Sequence, residues 1–198
     1  KHLDKAKEYI NLVSSILKTA VNLEVKCFSI ASFFRDYISE LFASLPTNIF
    51  IIPPSNVEEF NIYTDVSYLR SILINICQNA ADAMDNGGKL SIEWIFDQNI
   101  LEIEIQDTGN GLTEEQLEKL NSGIPISSSK KHGSGIGLLT VMMMIRKIGG
   151  SIKFYKSSTK GTIVNMFVPS LVPEFEQILT IEDTRSVQFD DDKDTIEL

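Results

Sequence analysis

The stretch LRSILINICQNAADAMD, residues 69–85, constrains this chain more than any other. Read at a helical period, it separates into two unlike faces. Leu69, Leu73, Ile76, Cys77, Ala80 and Met84 fall on one side and suit burial, while Ser71, Asn75, Gln78, Asn79, Asp82 and Asn86 fall on the other. An ordinary solvent face would favour Lys and Glu, the strong helix formers among charged residues. Here it carries amides, a hydroxyl and a carboxylate, short groups able to hold a ligand or a metal ion. The plain alternative is a polar surface that happens to lack Lys, and two glycine motifs further along decide between the two.

Ahead of this stretch, Leu3, Ala6, Ile10, Val13, Leu17 and Ala20 keep a strict a/d heptad, with Lys5, Lys7, Glu8 and Lys18 around it. That spacing favours left-handed packing against a neighbouring helix. Fewer than three heptads make a weak free-standing coiled coil. Residues 1–24 therefore read as the end of a helical bundle, the alternative being a helix lying on its own domain. An extended stretch over 26–29 leads into a helix over 31–45, whose apolar face is Phe33, Phe34, Ile38, Leu41 and Phe42 and which Pro46 ends. Strands are predicted over 48–52, ending at Pro53-Pro54, and over 60–63. The amide-faced helix follows, stopped at Gly87-Gly88.

Residues 90–96 and 100–106 alternate as a β-hairpin turning at Asp97-Gln98-Asn99. The second strand delivers Asp107-Thr108-Gly109-Asn110-Gly111 at its end. An Asp on a glycine-flanked loop is either a simple turn or an acceptor for a ligand's amine, with glycines that admit the ligand to the backbone. A short acidic helix over 113–120 and the polar segment SGIPISSSKKH come next, then His132-Gly133-Ser134-Gly135-Ile136-Gly137-Leu138 ahead of an apolar helix over 139–148. A glycine loop entering a helix N-terminus offers free N–H groups and a positive dipole end, which suit phosphate. It has no Gly-Lys-Ser/Thr, and no strand directly precedes it, so neither the lysine-terminated phosphate loop nor the dinucleotide fingerprint applies. A second hairpin over 151–157 and 162–168 turns at Lys160-Gly161.

The chain of 198 residues is 43% hydrophobic and 23% charged, enough to fill a core. Its net charge of −9 is concentrated after Pro173, where nine acids face only Arg185 and Lys193. The rest is close to neutral, which speaks against nonspecific nucleic-acid binding. Cys27 and Cys77 stand alone and read as reduced thiols in a cytoplasmic protein. There is no signal peptide and no apolar run long enough to cross a membrane, though the full-length protein could still be membrane-anchored. The chain opens mid-pattern at Lys1, as an excised fragment would.

Taken together, these motifs resemble the ATP-binding domain of bacterial sensor histidine kinases, within the superfamily shared with DNA gyrase, the large heat-shock chaperone and mismatch-repair ATPases. NICQNAADAM looks like the asparagine box, DTGNGL like the first glycine box and GSGIGL like the second, and the ending GGSIKFYKSSTKGTIVNMFVP is similar to the family's closing hairpin. Three motifs in register across 26–170 are far more specific than any one. The heptad helix resembles the distal part of the dimerisation and phosphoacceptor hairpin. The resemblance implies an α+β fold, a two-layer α/β sandwich of the Bergerat type with helices on one face of a mixed sheet, preceded by a helical-bundle segment. It implies ATP and Mg²⁺ as cofactors. As partners it implies the chain's own or a partner's phosphoacceptor hairpin, a response-regulator receiver domain, and a second copy in a full-length homodimer.

Residue by residue, the resemblance makes Asn79 the Mg²⁺ ligand, with Asn75 one turn earlier assisting near the phosphates. It makes Asp107 the acceptor of the adenine amine, with Gly109 and Gly111 admitting the base. Gly133, Ser134, Gly135, Ile136, Gly137 and Leu138 would surround the phosphates, and Asp82 and Thr162 would join the nucleotide contacts. Lys130, Lys131 and His132 would supply lid cations, Lys130 among the catalytic groups. Superfamily members that hydrolyse ATP carry a Glu where Asn75 stands, and an amide cannot take a proton from water. Transfer to a protein side chain fits better than hydrolysis.

The sequence departs from the family pattern in two places. Gly123, Ile124, Pro125 and Ile126 stand where such kinases usually carry lid phenylalanines, and no phosphoacceptor His is present. His2 is followed by Leu3 rather than by an acid and reads as a helix-surface residue. A second function therefore stays open: a nucleotide-binding regulator, either an anti-sigma-like serine kinase or an inactive kinase. Residues 171–198 read as an acidic tail or linker, or, through ILTIEDT or SVQFDDDKD, as the start of a truncated receiver domain.

Overall fold

The computed structural model describes residues 23–55, 59–124, 126, 136–157 and 160–172. The heptad segment and the acidic tail lie outside them. Eleven elements follow in the described chain: β1 (Val25–Ser29), α1 (Ile30–Ser44), β2 (Ile49–Ile52), β3 (Asn61–Asp65), α2 (Val66–Asp82), β4 (Gly88–Asp97), β5 (Ile100–Asp107), α3 (Glu114–Asn121), α4 (Ile136–Lys147), β6 (Ser151–Lys156) and β7 (Thr162–Pro169). The main sheet runs β2-β4-β5-β7-β6, with β2 parallel to β4 and the other pairs antiparallel. A separate two-stranded sheet pairs β1 with β3, Val25 opposite Asp65 and Ser29 opposite Asn61.

Strict alternation gives the sheet one buried face. Leu90, Ile92 and Trp94 on β4, Leu101, Ile103 and Ile105 on β5, and Val164, Met166 and Val168 on β7 all point into the core. Helices cover that face, so the expected two-layer α+β arrangement is the one the chain adopts. Phe34 of α1 stacks on Trp94, ring centroids 3.9 Å apart, and Leu69, Ile72, Leu73 and Ile76 bury the apolar face of α2. Each fully buried aliphatic side chain contributes about 1.5–3 kcal/mol of transfer free energy. The β4–β5 hairpin turns on Gln98 and Asn99, both in the left-handed region (φ 48° and 62°), the backbone twist that two-residue hairpins need.

Local signals set most boundaries. Asp65 caps α2, Ser29 caps α1 through the Ser32 N–H, and Thr113 and Gln116 form a reciprocal capping box at the start of α3. Most boundaries shift from the sequence reading by a residue or two, and two shift further. First, α2 ends at Asp82, ahead of Gly87-Gly88. The Ala83 carbonyl is claimed by the Asn110 N–H at 3.0 Å, and the Gly87 N–H turns back to Met84 O at 2.8 Å. Met84 stays buried, but from the turn beyond the helix. Second, α4 starts at Ile136 rather than at Leu139, which takes Gly137 and Leu138 into its first turn. Tertiary packing overrides the poor helix propensity of glycine there.

Cys77 is buried beneath the Tyr37 hydroxyl, which donates to Sγ at 3.4 Å, and burial pushes the thiol up to about 12. At neutral pH it is a protonated core group with no nucleophilic character. Cys27 is exposed on β1.

Candidate functional site

The exposed side of α2 carries Gln78, Asn79 and Asp82, with Asn75 half-buried one turn before Asn79. Asn75 donates through Nδ2 to Ser71 O at 2.7 Å, which fixes its carboxamide and turns Oδ1 outward. The first turn of α4 comes directly against this oxygen. A Cβ built on Gly137 would lie 3.1 Å from Asn75 Oδ1 and 3.9 Å from Asn79 Nδ2. A side chain at this position would crowd the Asn75 carboxamide, and glycine lets the first turn of α4 approach the amide face. The amide helix and Gly137, the last glycine of the second motif, thus lie side by side.

The first glycine motif closes the other end. Gly109 packs against Ala83, at the C-terminus of α2, where an added Cβ would fall 2.6 Å from the Ala83 carbonyl oxygen. Asp107 ends β5 and is 4% exposed. Desolvation raises its pKa above the usual carboxylate value. Hydrogen bonds from the Gly109 N–H, at 2.7 Å to Oδ1, and from the Thr162 N–H and hydroxyl pull in the opposite direction without cancelling the rise. A buried carboxylate held in place by three donors is poised to accept from one more amine.

One contributor was read only as a turn residue in the sequence. Gly161, at the β6–β7 turn (φ 102°), lies directly on the loop: a Cβ there would fall 2.0 Å from the Asp107 carbonyl oxygen. Its own carbonyl faces Gly111 (φ 74°) and accepts the Ser157 N–H. Thr108 accepts the Lys89 N–H at 3.0 Å and sits on Met84 Sδ at 3.6 Å. The one sequence signal for Gly161 was its place directly before Thr162, whereas Thr108 was read within the first glycine motif and Met84 on the apolar face of the amide helix.

Of the candidate residues, Asn75, Asn79, Asp82, Asp107, Gly109, Gly111, Gly137 and Thr162 fall on α2, on β5 and the loop after it, on α4 and on β7. Leu138 is half-buried against the core and Ile136 opens α4. Lys130, Lys131, His132, Gly133, Ser134 and Gly135 lie outside the described residues. Among the described residues no three His, Cys, Asp or Glu side chains cluster to form a metal cage. An oxygen-seeking ion such as Mg²⁺, commonly held by one or two protein groups plus substrate phosphates, fits the Asn79 carboxamide oxygen better than it would a dedicated cage. Among the described residues no helix is long and apolar enough to cross a membrane.

Residues 64–172 match the family model described as histidine kinase-, DNA gyrase B- and HSP90-like ATPase. Sporulation kinase B of Bacillus subtilis (strain 168) is 27% identical over 172 residues, which make up 86% of this chain and 40% of that protein. The chain spans less than half the length of the curated relatives it matches. Among solved structures, the catalytic domain of histidine kinase ThkA shares the fold at TM-score 0.62 and 24% identity, covering 74% of this chain and 96% of that one. Full-length ShkA in complex with AMPPNP matches at TM-score 0.65 and 19% identity, covering 83% of this chain and 36% of that one.

Proposed function

The chain belongs to the histidine kinase-, DNA gyrase B- and HSP90-like ATPase family, and from that premise we propose that it is the catalytic part of a two-component sensor histidine kinase. In this reading it binds Mg-ATP and passes the γ-phosphate to a histidine outside the chain. The observation that carries the proposal is the close approach of Gly137 to Asn75 and Asn79 on the helix whose other end packs against the Asp107–Gly109 loop. Asp107 accepts the adenine amine and is itself aligned by Gly109 and Thr162. Asn79 would hold Mg²⁺, which would supply charge neutralisation at the phosphates. Gly137 and Leu138 in the first turn of α4 would line the phosphates, and the resemblance alone assigns Lys130, Lys131, His132, Gly133, Ser134, Gly135 and Asp82 to the nucleotide. Asn75 offers no proton acceptor to water, so a protein side chain is the favoured recipient. Phosphoryl transfer needs little beyond such positioning and neutralisation.

The test uses the longer natural chain, or this chain supplied with a phosphoacceptor hairpin, and γ-labelled ATP. Acid-labile label is expected, since phosphohistidine is lost in acid. Acid-stable label would make this a serine kinase of the anti-sigma kind. Bound ATP with no label at all would make it a nucleotide-binding regulator, with the isoleucine-bearing segment around residues 124–126 as the departure responsible.

A pH profile follows from Asp107. Its pKa is raised in the folded state, so protonation as pH falls through that value favours the fold but removes the acceptor for adenine. Nucleotide affinity should therefore begin to fall at a pH where an ordinary Asp is still ionised, while unfolding stability does not fall with it on account of this group. Calorimetry across pH checks this, and Asp107→Asn should lack this part of the pH dependence because its amide does not titrate.

The proposed phosphoacceptor hairpin brings two copies together, and residues 3–20 carry its seam. Ile10→Asp with Leu17→Asp should convert a weak dimer to monomer and leave ATP binding intact. Equal sedimentation before and after would show that the seam packs within one chain.

A further inference from the structure

Asp65 stands where β3 becomes α2, 3% exposed, and its two oxygens serve different parts of the chain. Oδ1 accepts the Ser67 N–H at 3.0 Å, the Ser67 hydroxyl at 2.6 Å and the Tyr68 N–H at 3.2 Å, which caps α2. Oδ2 accepts the Glu24 N–H at 2.8 Å, so the chain arriving from residues 1–22 is tied to the same carboxylate. Burial alone would raise its pKa, but the hydrogen bonds from Ser67, Glu24 and Tyr68 outweigh it and hold the group below the usual carboxylate value. It is therefore ionised at neutral pH and accepts on both sides.

The outgoing chain is fastened to the same strand. Tyr63 donates its N–H to Ser170 Oγ at 3.0 Å, and Leu171 donates to Tyr63 O at 2.7 Å. Both flanks of the domain thus meet β3, and α2 begins at its last residue. The helix is packed along its length by Leu69, Ile72, Leu73 and Ile76, and close-packed interiors transmit strain. Asn75 and Asn79 lie on the same helix that Asp65 caps.

We propose that Asp65 is a positioning residue that couples the chain entering from residues 1–22 to the nucleotide-facing helix α2, by sharing one carboxylate between them. The proposal rests on the nucleotide site assigned above. Coupling is reciprocal: if the entering chain biases the helix, nucleotide on the helix must bias the entering chain. Asp65→Asn separates the two tasks, because Asn caps helices as well as Asp does but its single oxygen cannot accept on both sides.

The experiment is amide hydrogen exchange on this chain with and without Mg-ATP. In the wild type, Mg-ATP should slow exchange of the amides of residues 24–27 about fivefold or more, the low end of measured couplings. In Asp65→Asn that response should vanish, and by the same reciprocity calorimetric Mg-ATP affinity should fall by no more than the factor lost at these amides, about fivefold. Glu24→Pro removes the donor and leaves Asp65 in place, and it should erase the response at residues 25–27 in the same way. Protection that persists in both variants would overturn the coupling. Nucleotide binding to wild type with no change at these amides would overturn it and leave the nucleotide site standing. No heat of binding would overturn both.

Discussion

Asn79→Ala in the longer chain is expected to lower phosphoryl transfer by about 10²–10³-fold, the loss typical when one preorganised stabilising group is removed. Asn79 is exposed on α2 and contributes nothing to the apolar face, so unfolding stability should stay within about 0.5 kcal/mol. Labelled-ATP transfer and a urea midpoint, measured side by side, check both halves. Transfer near wild-type level would remove Asn79 from the metal role, and a large loss of stability would recast it as structural. Asn75→Glu asks the companion question. It places a proton acceptor beside Gly137, one turn before Asn79, and phosphate release to water should rise at the expense of label on protein. If release does not change, the identity of this residue is not what directs the phosphoryl group away from water.

Asp107→Asn should weaken ATP binding about ten- to a hundredfold, the equivalent of about 1.5–3 kcal/mol for a hydrogen bond to a charged group. The carboxylate is buried and accepts from Gly109 and Thr162, so an amide in its place sets an N–H₂ against donors it cannot satisfy. Part of the loss will therefore appear as disorder of the loop, and Thr162→Val separates the two effects. Removing that hydroxyl should weaken ATP binding by less, because Asp107 keeps its charge and the Gly109 N–H. Calorimetry with ATP and GTP is the readout. Wild type should prefer ATP and Asp107→Asn should lose the preference; equal binding of both nucleotides by wild type would remove the adenine assignment.

What the sequence alone determined is whatever has a period or a short fixed order. The amide face of α2 follows from a 3.6-residue repeat, the β4–β5 hairpin from a repeat of two, and Asp107 from its place at the end of an alternating strand before two glycines. The mixed sheet with helices on one face followed from the resemblance of three motifs in register, and the chain folds that way. Only the tertiary structure decided how the parts meet. Nothing in the sequence placed Gly137 against Asn75, Gly161 on the Asp107 carbonyl, Thr162 as a donor to Asp107, or Glu24 on the Asp65 carboxylate. These contacts join residues distant in the chain, and a hydrogen bond or close approach across such a gap leaves no periodic trace at either end. The same reason explains the two displaced boundaries. Where α2 stops depends on Asn110 taking the Ala83 carbonyl, and where α4 starts depends on packing around Gly137 that outweighs its own propensity.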